Sequence, residues 1–240
     1  MLYLCKRARP DMQTAIAFLC TRVKQPDVDD WKKLARAIRY LRGTKDLGLT
    51  LEADGSGIIK WWIDASFAVH QDMHSHSGIT MSLGKGSPYS SSTRQRLNTK
   101  SSTEAELVGV DDGMSSITWT RRFLVEQGVH ITDTVVYQDN QSAMLLERNG
   151  RASSGRRTRH ISIKYFFVTD RVKGGELRVE YCPTDDMWET SSQNHYKDQS
   201  FGACTPRSST LMRPFRCRQP QLSCLAHRSV LGNRAPAGRT

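Results

Sequence analysis

Three acidic residues stand in settings that an ordinary surface carboxylate does not need. Asp64 falls within residues 58–70, where odd positions carry Ile59, Trp61, Ile63, Ala65, Phe67 and Val69 and even positions carry Lys60, Trp62, Asp64, Ser66 and His70. That alternation predicts a half-buried strand with Asp64 on its more polar face. Asp is a poor strand former, so a mid-strand position needs a reason. Glu104 enters a helical pattern 40 residues later, and Asp139 closes a short apolar strand 35 residues after that. Carboxylates drawn together repel, so such a cluster persists only if protonated or if it holds hard cations. Two of the three also have plainer readings. Glu104 follows Ser101 at the spacing of a capping box, and Asp139 can be a strand-end turn residue or the cap of a helix at Asn140.

The elements that must position these groups are legible as patterns. Residues 1–49 read as helical: Pro10 and Asp11 start one helix through Thr21, and residues 27–30 open another in which Trp31, Leu34, Ile38 and Leu41 recur at helical spacing, as core positions do. Lys32, Lys33, Arg36, Arg39 and Arg42 on the other side form a solvated face or, as a sharper alternative, phosphate contacts. After the Asp64 strand, residues 78–83 and 88–95 read as strands joined by a turn at Gly84, Lys85 and Gly86. Residues 101–128 form the longest helical pattern, with Leu107, Val110, Met114, Ile117 and Leu124 on one side, Gly128 as its stop, and Asp111, Asp112 and Gly113 as an interruption. A strand at 134–137, a helix at 140–149, an Arg/Ser/Gly-rich loop at 151–159, an aromatic helix at 161–173 and a strand at 176–182 follow. The order describes a mixed sheet covered by helices.

The chain has 240 residues, enough for one good domain with appendages. A formal charge of +11 points to a polyanionic partner, nucleic acid before membrane. Eight Lys and Arg against Glu189 and Asp198 put +6 of that charge after Trp188. The six cysteines form no CxxC pair and no zinc spacing, which favours reduced thiols in an intracellular protein. No apolar run is long enough to span a bilayer, no targeting signal is evident, and no membrane partner is expected.

Taken together the motifs have a familiar form. Residues 62–66 (Trp-Ile-Asp-Ala-Ser), 100–106 (Lys-Ser-Ser-Thr-Glu-Ala-Glu) and 137–143 (Tyr-Gln-Asp-Asn-Gln-Ser-Ala) resemble the ribonuclease H domain of copia-type retrotransposon polyproteins. Arg159-His160-Ile161 followed by Tyr165-Phe166-Phe167 fits the penultimate helix of that family. Residues 1–49 look like the stretch joining reverse transcriptase to ribonuclease H. The resemblance implies an α/β fold, a ribonuclease H-like mixed five-stranded sheet with an antiparallel meander plus parallel strands, flanked by helices. It also implies a division into a helical remnant of the connection (1–49), the nuclease domain (50–188) and a tail (189–240). The implied activity is hydrolysis of the RNA strand of RNA/DNA hybrids by two magnesium ions, or manganese, held by Asp64, Glu104 and Asp139. Ser66, Lys100, Asn140, Arg159 and His160 are the implied nucleic-acid contacts. The implied partners are the hybrid and the reverse transcriptase portion of the same polyprotein, inside the cell in a cytoplasmic virus-like particle or the nucleus.

The chain departs from the family at two places. Ser162 stands where an acidic or amide residue usually follows His-Ile. More consequentially, Asp185-Asp186-Met187-Trp188 lead up to the segment Ala-Asp-x-x-Thr-Lys-Pro that carries the family's fourth carboxylate, but Glu189-Thr190-Ser191-Ser192 follow instead. Back-translation accounts for this. With suitable codons for residues 189–202, starting two bases later reads Asp-Phe-Phe-Thr-Lys-Pro-Leu-Gln-Gly-Ser, so loss of one base places the tail out of frame and leaves it basic and disordered. The nuclease is then impaired. Competing readings are an inactive remnant that binds nucleic acid through its basic surface, and an integrase-like nuclease, against which residues 103–106 speak.

Overall fold

The computed structural model of the protein describes residues 1–149 and 162–187. In chain order the elements are α1 (Leu2–Arg7), α2 (Gln13–Thr21), α3 (Val28–Gly43), β1 (Glu52–Ala53), β2 (Ile58–Ser66), β3 (His76–Ser82), β4 (Gly84–Lys85), β5 (Tyr89–Arg94), α4 (Ser102–Glu126), β6 (Asp133–Gln138), α5 (Gln141–Asn149), α6 (Ser162–Lys173) and β7 (Arg178–Tyr181). The main sheet has the order β5-β3-β2-β6-β7. Its β2–β3 and β3–β5 pairs are antiparallel, and β2–β6 and β6–β7 are parallel. The fold is the ribonuclease H-like mixed sheet that the resemblance implied. The strand bearing Asp64 lies at its centre.

The period-two pattern of β2 divides the molecule. On one face Ile59, Trp61 and Ile63 pack with Ile79, Met81, Val136 and Val179 against Val110, Met114 and Ile117 of α4 and Val168 of α6. Full burial of each large aliphatic group contributes about 1.5–3 kcal/mol, so this layer dominates the stability of the sheet. On the other face Trp62 stacks on Tyr137 with ring centroids 5.3 Å apart, beside buried Cys182 and Met187. Among the described residues, no helix is long and apolar enough to cross a membrane.

Two local expectations are corrected. Residues 111–113 do not interrupt α4, which runs unbroken for 25 residues. A Cβ on Gly113 would lie 3.2 Å from the δ-methyls of Ile63 and Ile79, and one on Gly109 would lie 3.3 Å from Ser77 Oγ. These glycines are points of close helix-to-sheet contact, and packing overrides their poor helix propensity. The turn at Gly84 is itself a strand, with β4 pairing antiparallel to β1. Gly84 permits this because an added Cβ would sit 2.4 Å from the Glu52 carbonyl oxygen and 2.6 Å from Asp54 N.

The N-terminal helices surround a small core of Cys5, Met12, Ile16 and Ala37. Asp27 caps α3, accepting from Asp30 N at 2.7 Å while Asp30 Oδ2 accepts from Asp27 N at 3.1 Å. The apolar stripe expected as core is only partly so: Trp31 is 69% and Ile38 50% exposed, because Ala37 and Asp30 take the inward side of α3. Three short helices bury one narrow stripe each and leave the flanking positions in water. Contacts with the sheet run through α2 and β5: Gln13 Nε2 donates to the Ser90 carbonyl at 3.1 Å, and Phe18 stacks on His70 at 5.3 Å. His70 Nε2 in turn meets His76 Nδ1 at 3.0 Å, and burial pulls His76 down to about 4.

Replacing Gly84 with Ala forces the β1–β4 ladder apart. The expected result is a loss of about 1–3 kcal/mol in urea denaturation; an unchanged midpoint means that the ladder accommodates a side chain.

Candidate active site

The parallel register of β2 and β6 ends at Trp62 opposite Tyr137. Two residues further along each chain stand Asp64 and Asp139, so adjacent strands deliver both carboxylates to the same end of the sheet. Asn140, not Asp139, caps α5, its Oδ1 accepting from Ser142 N and Ala143 N at 3.1 Å each. Asp139 is thereby left to face the neighbouring strand. The third member is Glu106. One ligand oxygen from each of Asp64, Glu106 and Asp139 lies within 4.8 Å of the others, and Glu106 is buried while the two aspartates are half-buried. Glu106 Oε1 accepts from Ala65 N at 3.1 Å, which fixes the first turns of α4 beside the strand position following Asp64.

Glu104, expected in this role, is not part of the cluster. Ser101 Oγ accepts from Glu104 N at 3.2 Å, which is one half of the expected capping box, and Glu104 Oε2 accepts from Lys100 N, ahead of the cap, at 2.7 Å, so both bonds brace the start of α4. Two residues on a helix differ by about 200° in direction, so Glu104 and Glu106 leave α4 on different sides. A signal for Glu106 was available: with Val110, Gly113 and Ile117 it repeats at i, i+4, i+7 and i+11, on the side that packs onto β2. Of the expected nucleic-acid contacts, Ser66 ends β2 next to the site and Lys100 is exposed just ahead of α4. Asn140 follows Asp139 directly. Arg159, His160 and the tail from Trp188 onward lie outside the described residues.

Burial and the charges of Asp64, Asp139 and Glu147 push Glu106 up to about 9, against the opposing hydrogen bond from Ala65. Its Oε2 is buried and has no hydrogen-bond partner among the described residues. Behind the site Glu147 of α5 is fully buried and pushed up to about 8 by desolvation. With the Gln138 amide assigned so that its nitrogen faces this carboxylate, Gln138 donates to Glu147 at 3.1 and 3.3 Å. Sequence reasoning gave no place to Gln138 or Glu147. An oxygen-only donor set with three converging carboxylates, one presenting an unpartnered buried oxygen, fits hard divalent cations.

No protein-family model matches the chain. It is 34% identical over 181 residues to the retrovirus-related Pol polyprotein from transposon RE2 of Arabidopsis thaliana, covering 75% of this chain and 12% of that protein. It is 31% identical over 188 residues to the Pol polyprotein from transposon TNT 1-94 of Nicotiana tabacum, covering 78% and 14%. The chain is a homologue of copia-type transposon Pol polyproteins. It spans 12–14% of the length of these two Pol polyproteins. Among solved structures, LC11-RNase H1, isolated from compost by a metagenomic approach, aligns with 60% of this chain and 98% of its own at 11% identity and a TM-score of 0.45.

In this chain the raised Glu106 sets a pH dependence. A carboxyl that titrates at about 9 in the folded chain, against an ordinary value of 4.5, contributes stability that is complete below 4.5 and is lost as pH rises through 9. In EDTA, thermal midpoints should fall between about pH 5 and about pH 9, and Glu106→Gln should flatten the slope, leaving the part due to Glu147. A slope unaltered by Glu106→Gln would place the buried charge elsewhere.

Proposed function

We propose that the chain is the ribonuclease H portion of a copia-type Pol polyprotein, hydrolysing the RNA strand of RNA/DNA hybrids at Asp64, Glu106 and Asp139 with two magnesium ions, manganese being the alternative. The observation that carries this reading is the convergence of the three carboxylates at the end of two adjacent parallel strands. When bound, the ions would activate water and stabilise the leaving 3′ oxygen of an in-line displacement. The chain's own residues do the positioning. The central strand holds Asp64, the Ala65 amide orients Glu106, and the Asn140 cap keeps Asp139 out of the helix. Ser66, Lys100 and Asn140 are candidate contacts to the backbone and 2′-hydroxyls of the hybrid, which would make recognition independent of base sequence.

The exposed Trp31 and Ile38, with Tyr3 of α1, suit a helical connection that lay against the polymerase portion of the same polyprotein. Residues 1–49 are then its remnant, residues 50–188 the nuclease unit, and residues 189–240 the out-of-frame tail. A second reading, an inactive remnant, is favoured by one observation: the sequence after Trp188 lacks the Ala-Asp segment of the family's fourth carboxylate.

A labelled RNA/DNA hybrid incubated with magnesium, with EDTA as control, tests the activity. Asp64→Asn and Glu106→Gln should each lower the rate by about 100-fold or more, while Glu104→Gln, a capping variant, should retain most of it. Equal losses at Glu104 and Glu106 would contradict the assignment. Absence of hydrolysis in the unaltered chain favours the remnant.

A further inference from the structure

The turn after β7 is tied to the site from both ends. Cys182 N donates to the Gln138 carbonyl at 2.8 Å, carrying the β6–β7 pairing one step past Tyr181. The next residues form a short 3-10 turn, Thr184–Asp186, closed by bonds from Asp186 N to the Pro183 carbonyl at 2.9 Å and from Met187 N to the Thr184 carbonyl at 3.2 Å. Met187 then inserts, fully buried, beside Trp62 and Tyr137. Trp62 lies on the same strand face as Asp64, two residues before it, and Tyr137 lies two residues before Asp139. The turn is therefore held by the two strands that carry the aspartates.

From this turn the Thr184 hydroxyl donates to Asp139 Oδ2 at 2.8 Å. Asp139 follows the last residue of β6 and precedes the Asn140 cap, so its backbone is fixed while its carboxylate keeps rotational freedom of its own. One hydrogen bond from a hydroxyl on an anchored turn removes that freedom. It occupies one lone pair of Oδ2 and leaves the other acceptor positions of the carboxylate for a cation.

We propose that Thr184 is a positioning residue of the metal site, orienting the Asp139 carboxylate for divalent-cation binding from a turn that Met187 anchors. The proposal deepens the functional reading above and rests on it, since it needs Asp139 to be a cation ligand. Partners of this kind, one step behind the ligands, typically change metal affinity by about 10–100-fold when lost.

The test is calorimetric titration of manganese into the full 240-residue chain without nucleic acid. Thr184→Val keeps the shape of the side chain and removes the hydroxyl, and Thr184→Ser restores the hydroxyl. Manganese binding should weaken about tenfold in Thr184→Val and return to within about twofold in Thr184→Ser, with thermal midpoints in EDTA alike for all three proteins. Removing the hydroxyl from an Asp139→Asn background should produce no further loss. Manganese binding that is unchanged in Thr184→Val, or equally weak in Thr184→Ser, overturns the role of Thr184 while leaving the metal site intact. Absence of manganese binding in the unaltered chain overturns the functional reading and this inference with it.

Discussion

Repulsion among three carboxylates is the constraint around which this molecule is built. Asp64, Glu106 and Asp139 come from a strand, a helix and a strand end that have no local reason to meet. Each element must therefore be held by something stronger than the repulsion. For α4 that hold is the glycine-lined contact with β2 and β3: Gly109 and Gly113 admit Ile63, Ser77 and Ile79 close to the helix, and Glu106 then reaches the Ala65 amide. For Asp64 and Asp139 it is the parallel pairing of β2 with β6, backed by the buried aliphatic layer on one face and the Trp62–Tyr137 stack on the other. The apolar core supplies the free energy, and the site expends part of it on a buried acid that burial keeps protonated near neutral pH in the absence of a cation.

The polar groups behind the cluster follow the same logic. Glu147 is fully buried in α5 and would be costly as an isolated charge, but its raised proton affinity lets it sit neutral against the Gln138 amide. Gln138 precedes Asp139, so this buried pair helps set where β6 ends. On the solvent side Thr184 approaches the same aspartate. Asp139 is thus controlled from behind through the backbone of β6 and from the front through its own carboxylate.

Much of this was legible in the sequence, for identifiable reasons. The alternation around Asp64 reads directly as a strand because its period is two and its apolar set is large, and the helix and strand order that follows yields a mixed sheet. Asp64 stood out because a mid-strand Asp is out of place, whereas Asp139, at a strand end, had an ordinary turn or capping reading beside the functional one. Glu104 was chosen from a motif that holds two glutamates two residues apart, although Ser101 three residues before it already offered a capping reading. Glu106 was masked by its neighbours, since a carboxylate on the apolar side of a helix looks like an error of phase unless the partner strand is known. The β1–β4 ladder was not legible, because two-residue strands have no periodicity and depend on the missing Cβ of Gly84. Trp31 and Ile38 satisfied a helical period without burial, because the period states which residues share a face and not whether anything covers it.

If Asp64, Glu106 and Asp139 are brought together to hold divalent cations, anomalous diffraction from crystals of the chain grown with manganese tests it most directly. Manganese peaks are predicted within coordination distance of carboxylate oxygens from all three residues, with Glu104 still bonded to the Lys100 amide. Peaks at Glu104, or a fully formed cluster that takes up no manganese at millimolar concentration, would contradict the assignment.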